Sequence, residues 1–86
     1  MTSDQNTRPL SEIAEEIRIT WVRKDGSSAV YFGAAPYLEA MRTLTTTRDS
    51  YFFDMGDDIV RYFLANANTY RGETARRVKA ELRGML

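Results

Sequence analysis

Three carboxylates, Asp54, Asp57 and Asp58, stand close together in the chain, and clustered carboxylates are what a hard divalent cation binds. The same side chains suit the first turn of a helix, where aspartate caps free amides and complements the dipole. That second reading is favoured, and no metal site is expected. Serine and threonine hydroxyls are plentiful, but as nucleophiles they need a base. The chain has no histidine and no cysteine, which removes the commonest general base, the commonest zinc ligands and the usual near-neutral pH switch. Lys24 and Lys79 are the remaining candidate bases, and neither lies in a motif; a glycine-rich phosphate loop is also missing. The expectation is a protein without catalytic, cofactor-binding or metal-ligating residues, and so not an enzyme.

Basic residues concentrate at the carboxyl-terminal end. Residues 1–58 carry ten acids and six bases, residues 59–86 six bases and two acids, and the whole chain is neutral. This polarity can build a basic face on a neutral molecule, or it can draw the two halves together. On the first reading Arg71, Thr74, Arg76, Arg77, Lys79 and Arg83 form a nucleic-acid-binding set on the last helix, with Thr74, Arg76 and Arg77 toward the base-reading end of a helix-turn-helix. The second reading, a solvated face paired with acids of the first half, is preferred.

Aromatic residues form the other candidate group. Tyr31, Phe32 and Tyr37 flank a glycine–proline bend, and Tyr51, Phe52 and Phe53 are consecutive. Neither a helix nor a strand can turn three consecutive rings inward, so some apolar surface should be left exposed. Tyr31, Phe32, Tyr37, Tyr51, Phe52 and Tyr70 are the expected partner-binding residues, because aromatics are enriched at protein interfaces.

The elements that position these groups follow from hydrophobic spacing. Residues 1–9 are polar and aperiodic and are expected to be a flexible leader, with one helical domain over residues 10–86. Leu10, Ile13, Ala14, Ile17 and Trp21 mark a helix running to about Val22, with Ser11 as its cap. The alternation of Ile17, Ile19 and Trp21 before Asp25-Gly26 keeps a short β-hairpin across residues 17–32 open as the alternative. Pro36 suits the first turn of a second helix with Leu38, Met41 and Leu44 inward, and the threonine-rich run from Thr43 to Ser50 should be a loop. Met55, Ile59, Val60, Phe63, Leu64 and Ala67 line a third helix, capped by Asp54, with Asp57 and Arg61 paired on its outer side. Ala75, Val78, Leu82 and Met85 line a fourth, starting between Thr69 and Gly72. The fold class is therefore mainly α, a small bundle of about four helices.

The stretches YFGAAPYLEAM (Tyr31 to Met41) and YFLANANTYRGETARRVKAEL (Tyr62 to Leu82) resemble a group of small uncharacterised proteins of actinobacteria and their phages; the segment from Ile19 to Val30 is longer here. The resemblance implies a phage-type accessory protein in the bacterial cytoplasm, with no activity attached to particular residues. No apolar run is long enough for a membrane span and the first residues lack the apolar centre of a secretory signal, so no membrane partner is expected. The leading expectation is protein–protein interaction, with a host protein or with a second copy. Nucleic-acid binding through the last helix is the alternative.

Overall fold

A computed structural model describes residues 8–86. Among them are four helices, α1 (Leu10–Thr20), α2 (Ala35–Met41), α3 (Gly56–Ala65) and α4 (Glu73–Gly84), and one two-stranded hairpin, β1 (Ser50–Tyr51) with β2 (Asp54–Met55). The domain is mainly α. Residues 1–7 of the expected leader lie outside the described residues. At the start of the described residues, Arg8 donates to both carboxylate oxygens of Glu81 at 2.9 and 2.7 Å.

The apolar stripes fold as their spacing dictates. Leu10, Ile13, Ala14 and Ile17 of α1, Leu38 and Met41 of α2, Ile59, Val60 and Phe63 of α3, and Ala75, Val78 and Leu82 of α4 are all buried in one core. Local contacts give the helix directions. The amides of Leu10 and Ser11 meet the carbonyls of Thr45 and Leu44 at 2.9 and 2.8 Å, so α1 begins where α2 has ended. Asp57 at the start of α3 donates to the Thr47 carbonyl at 2.9 Å, and Asn66, just past its end, lies beside Gly33, just before α2. Glu16 and Arg77 pair between α1 and α4. The helices therefore alternate up, down, up and down.

Caps depart from expectation. Ser11 does not cap α1, whose N-cap is Pro9, and Asp54 does not cap α3, whose N-cap is Met55. Carbonyls of the threonine loop do the capping at both starts. Leu44 and Thr45 serve α1, while Asp49 accepts from Gly56 at 2.7 Å and Thr47 from Asp57. These loop carbonyls satisfy the orphan amides that a side chain would otherwise take. Asp54 is held in the hairpin opposite Tyr51. The loop itself is organised by Asp49, whose Oδ2 accepts from the amides of Thr45 and Thr46 at 2.9 and 3.0 Å. Those amides, with the Thr46 hydroxyl, hold the Asp49 carboxyl below its ordinary pKa.

Two further boundaries move. Helix α1 stops at Thr20, and Val22 pairs with Ser28 in a single antiparallel bridge around a turn in which Gly26 has φ +88°. Helix and turn thus coexist, with the pairing limited to that bridge rather than spread over residues 17–32. Met55, expected on the inner face of α3, is exposed because the chain is still extended there.

Candidate interaction surface

The aromatic residues divide into an interior and an exterior set. Inside, Trp21 stacks on Tyr70 with ring centroids 5.1 Å apart and meets Phe63 edge-on at 6.2 Å. Tyr70, expected at a partner surface, is only 2% exposed and belongs to the core. Its hydroxyl lies 2.7 Å from Thr20 Oγ1, which donates to the Glu16 carbonyl at 2.7 Å. The Thr20 proton is thus committed, so Tyr70 donates to Thr20. Burial raises the Tyr70 pKa despite that contact, keeping the phenol neutral.

Outside, the surface follows α3 from one end to the other. At its start the hairpin turns through Phe52 and Phe53, the two residues between paired Tyr51 and Asp54. Phe52 is 82% exposed and Phe53 wholly so. Phe52 has φ +58°, at a loop position that two-residue hairpins usually give to glycine. Tyr51 is half-buried and its ring packs edge-on to Phe52 at 4.7 Å. Met55, in the strand just before α3, and Tyr62, within the helix, are both exposed. Tyr62 meets half-buried Tyr37 of α2 at 5.4 Å. At the far end Tyr31 lines an open cleft of about 300 Å³ with Ala65, Asn66, Asn68 and Thr69. Phe32, 81% exposed, packs on Tyr31 at 4.8 Å.

Five of the six aromatic residues expected at a partner surface therefore reach the surface: Tyr31, Phe32 and Phe52 are exposed, while Tyr37 and Tyr51 show one edge. Phe53, Tyr62 and Met55 belong to the same surface but were not among the expected partner-binding residues. Consecutive aromatics were the available signal for Phe53. Tyr62 carried none, because it sits beside the buried Phe63 in an ordinary helical pattern.

The charged residues divide as well. Arg77, expected among the nucleic-acid-binding residues, pairs with Glu16 across α1 and α4. Arg8 also reaches Glu16, at 2.8 Å, and Glu81, at 2.7 Å. The contact to Glu16 Oε1 is an ion pair without hydrogen-bond geometry. Arg77, and secondly Arg8, lower the Glu16 pKa against the opposing effect of burial. Of these pairs Glu16–Arg77 joins an acid of the first half to a base of the second, whereas Arg8–Glu81 joins the halves with the charges reversed. Arg71, Arg76 and Arg83 are exposed, Thr74 and Lys79 half-buried. Lys79 Nζ donates to the Tyr70 carbonyl at 2.6 Å and lies 5.8 Å from the Tyr70 ring centre.

The helix-turn-helix outline does not form as expected. Residues 66–72, seven in all, separate α3 from α4, against the three or four of a tight turn. The α4 helix docks along α1, with Arg77 facing that neighbour. Asp57 and Asp58 occupy the first turn of α3 and both meet Arg61, at 3.3 and 3.2 Å. Among the described residues no group of three or more potential ligands converges as a metal ion would need, and no helix is long and apolar enough to cross a membrane. The α3 cleft and a second, of about 650 Å³ between the threonine loop and the end of α4, have no carboxylate in their walls. Compared with protein-family models, curated proteins and solved structures, the chain matches none.

Proposed function

We propose that this is a small non-catalytic interaction protein that binds a protein partner through the aromatic surface along α3, and that a second copy of the chain is the first occupant to test. The observation that carries the reading is the hairpin tip. A non-glycine residue in the left-handed region costs roughly 1–2 kcal/mol, and here that residue also holds an apolar ring in water beside a second one. Neither feature helps a lone domain fold, while both place two large rings where a partner can cover them. A neutral net charge leaves no long-range repulsion between copies. A protruding apolar tip also suits an isologous contact, in which each copy covers the same patch of the other.

The likeness of two segments to small proteins of actinobacteria and their phages supports an accessory role in the bacterial cytoplasm, with a host protein as the other class of occupant. Sedimentation velocity over a wide concentration range tests the self-association reading, with wild type compared to the double variant Phe52→Ser/Phe53→Ser. Wild type is expected to shift toward dimer as concentration rises while the variant stays monomeric. A monomer at every concentration removes self-association. Site-specific crosslinking from residue 53 in host cells then tests the host partner, and the absence of any adduct ends the reading altogether.

A further inference from the structure

The arginines of this protein fall into two groups that the fold treats differently. Arg8, Arg18, Arg42, Arg61 and Arg77 each form an ion pair with a glutamate or aspartate. Arg23, Arg48, Arg71, Arg76 and Arg83 form none among the described residues, and neither do Lys24 and Lys79; of these, Arg71, Arg76, Lys79 and Arg83 belong to α4 or the loop before it. Helical geometry explains the division on α4. At 100° per residue, Arg76, Lys79 and Arg83 fall within an arc of about 60° on one flank, whereas Arg77 and Glu81 fall on the opposite flank. That opposite flank faces α1 and the residues before it, where Glu16 and Arg8 wait. Glu73 stands one turn before Arg76 but makes no ion pair with it, and no carboxylate pairs with the first flank among the described residues.

Arg71 joins the unpaired flank from the loop. The Lys79 ammonium is fastened to the carbonyl of Tyr70, the residue before Arg71, and Arg83 lies one turn beyond Lys79. Burial, then Arg83 and Arg71, lower the Lys79 pKa, as the crowding of like charge requires. A neutral protein has thus gathered four cations on one side, none of them in an ion pair among the described residues. Such crowding costs free energy in the isolated domain and is relieved by an anion outside it.

We infer that Arg71, Arg76, Lys79 and Arg83 form a docking face for the phosphate backbone of double-stranded nucleic acid, bound without regard to sequence. The face is independent of the aromatic surface along α3. Arg76 to Arg83 spans seven residues, roughly 10 Å of helix axis, and Arg71 extends the line past the helix start, so successive phosphates along a groove edge can be met. Bases are not read. Arg77 is held by Glu16, Thr74 is half-buried, and the nearby rings of Tyr70 and Trp21 are buried and offer no platform for an unpaired base. Phosphate contact without base contact gives affinity and not specificity.

Fluorescence anisotropy with a short labelled DNA duplex and an unrelated sequence of equal length tests this. Both should bind alike, and four phosphate contacts give a log–log salt slope of about −3.6, so binding should weaken roughly a hundredfold between about 50 and about 200 mM salt. The triple variant Arg71→Gln/Arg76→Gln/Arg83→Gln should abolish most of the binding. A control of equal charge change, Lys24→Gln/Arg42→Gln/Arg48→Gln, should retain it. If the triple variant melts early, Arg76→Gln and Arg83→Gln taken singly should each reduce the slope by about one. The proposal is overturned by no shift at low salt, by equal loss in the face variant and the control, by strong preference for one sequence, or by binding to anionic phospholipid vesicles but not to duplex.

Discussion

Trp21, Phe63 and Tyr70 differ from Tyr51, Phe52 and Phe53 less in chemistry than in the backbone that carries them. The first three sit at the end of one helix, inside another and just before a third, so the helix directions bring them together, and the Tyr70 hydroxyl finds Thr20. The second three lie on a hairpin with two residues per strand, whose turn points away from the helices. Only Tyr51 reaches back to pack against the core. Burial here is decided by how many elements converge on a ring, and sequence proximity of aromatics works against it.

The largest effect expected from that contrast is on stability. Phe63→Ala should cost about 3–5 kcal/mol, as for a large ring removed from a packed core, whereas Phe53→Ala should change stability by less than about 0.5 kcal/mol. Chemical denaturation followed by the fluorescence of Trp21, the sole tryptophan, measures both. A comparable loss at both positions would break the division between interior and exterior rings.

The joint between hairpin and helix comes next. A Cβ on Gly56 would lie 2.8 Å from the Thr46 carbonyl oxygen and 2.9 Å from Thr47 Cα, and backbone atoms cannot step aside as a flexible side chain can. Gly56→Ala should therefore cost about 1–3 kcal/mol through overpacking. It should also loosen the tip, read as faster amide exchange at Tyr51 and Asp54. If exchange there is unchanged while stability falls, the tip is anchored elsewhere than through this joint.

Much of this architecture was legible because it is local. Ile13 and Ile17, Ile59 and Phe63, and Val78 and Leu82 each sit four residues apart, and each pair is buried on its helix. What escaped is what needs distant partners. Ser11 has the side chain of a cap, but the carbonyls of Leu44 and Thr45 reach α1 from a distant part of the chain, while Asp54 is drawn into the hairpin and the nearby carbonyls of Thr47 and Asp49 serve α3. The hairpin gave no period to count over two-residue strands, and Phe52 fills the position where a glycine would have announced the turn. On the candidate surface, Phe52 is legible from three consecutive aromatics, while Tyr70 is not, because an isolated tyrosine says nothing of the tryptophan it will stack on. Arg77 was grouped with its neighbours for the same reason, since Glu16 lies far away in sequence.

Strain at the tip supplies a smaller effect of opposite sign. Phe52→Gly removes the left-handed penalty of roughly 1–2 kcal/mol but adds about 0.5–1 kcal/mol of unfolded-state freedom, so the net change should be a gain of about 0–1.5 kcal/mol. Removing the ring should at the same time weaken self-association. Stability gained with association lost would sharpen the view that Phe52 serves a partner; association kept would move the contact to Phe53 or Tyr62.

The smallest effect concerns how the interior set is fastened. Glu16 holds Arg77 and Arg8 with its side chain, and its carbonyl accepts from Thr20, which receives the Tyr70 hydroxyl. Because Arg77 and Arg8 lower the Glu16 pKa, the carboxylate binds a proton more readily in the unfolded chain, and its contribution is complete above the ordinary carboxylate range. That contribution fades as pH falls through the lowered value. Arg77 is largely exposed, so Arg77→Ala should cost only about 0.2–1 kcal/mol near neutrality. The cost should shrink with added salt and vanish in acid once Glu16 is protonated. Denaturation curves for wild type and variant across that range, read again through Trp21, should converge at the acid end. A gap that persists there would mean that Arg77 stabilises the Trp21–Tyr70 stack by packing of its stem and not by charge.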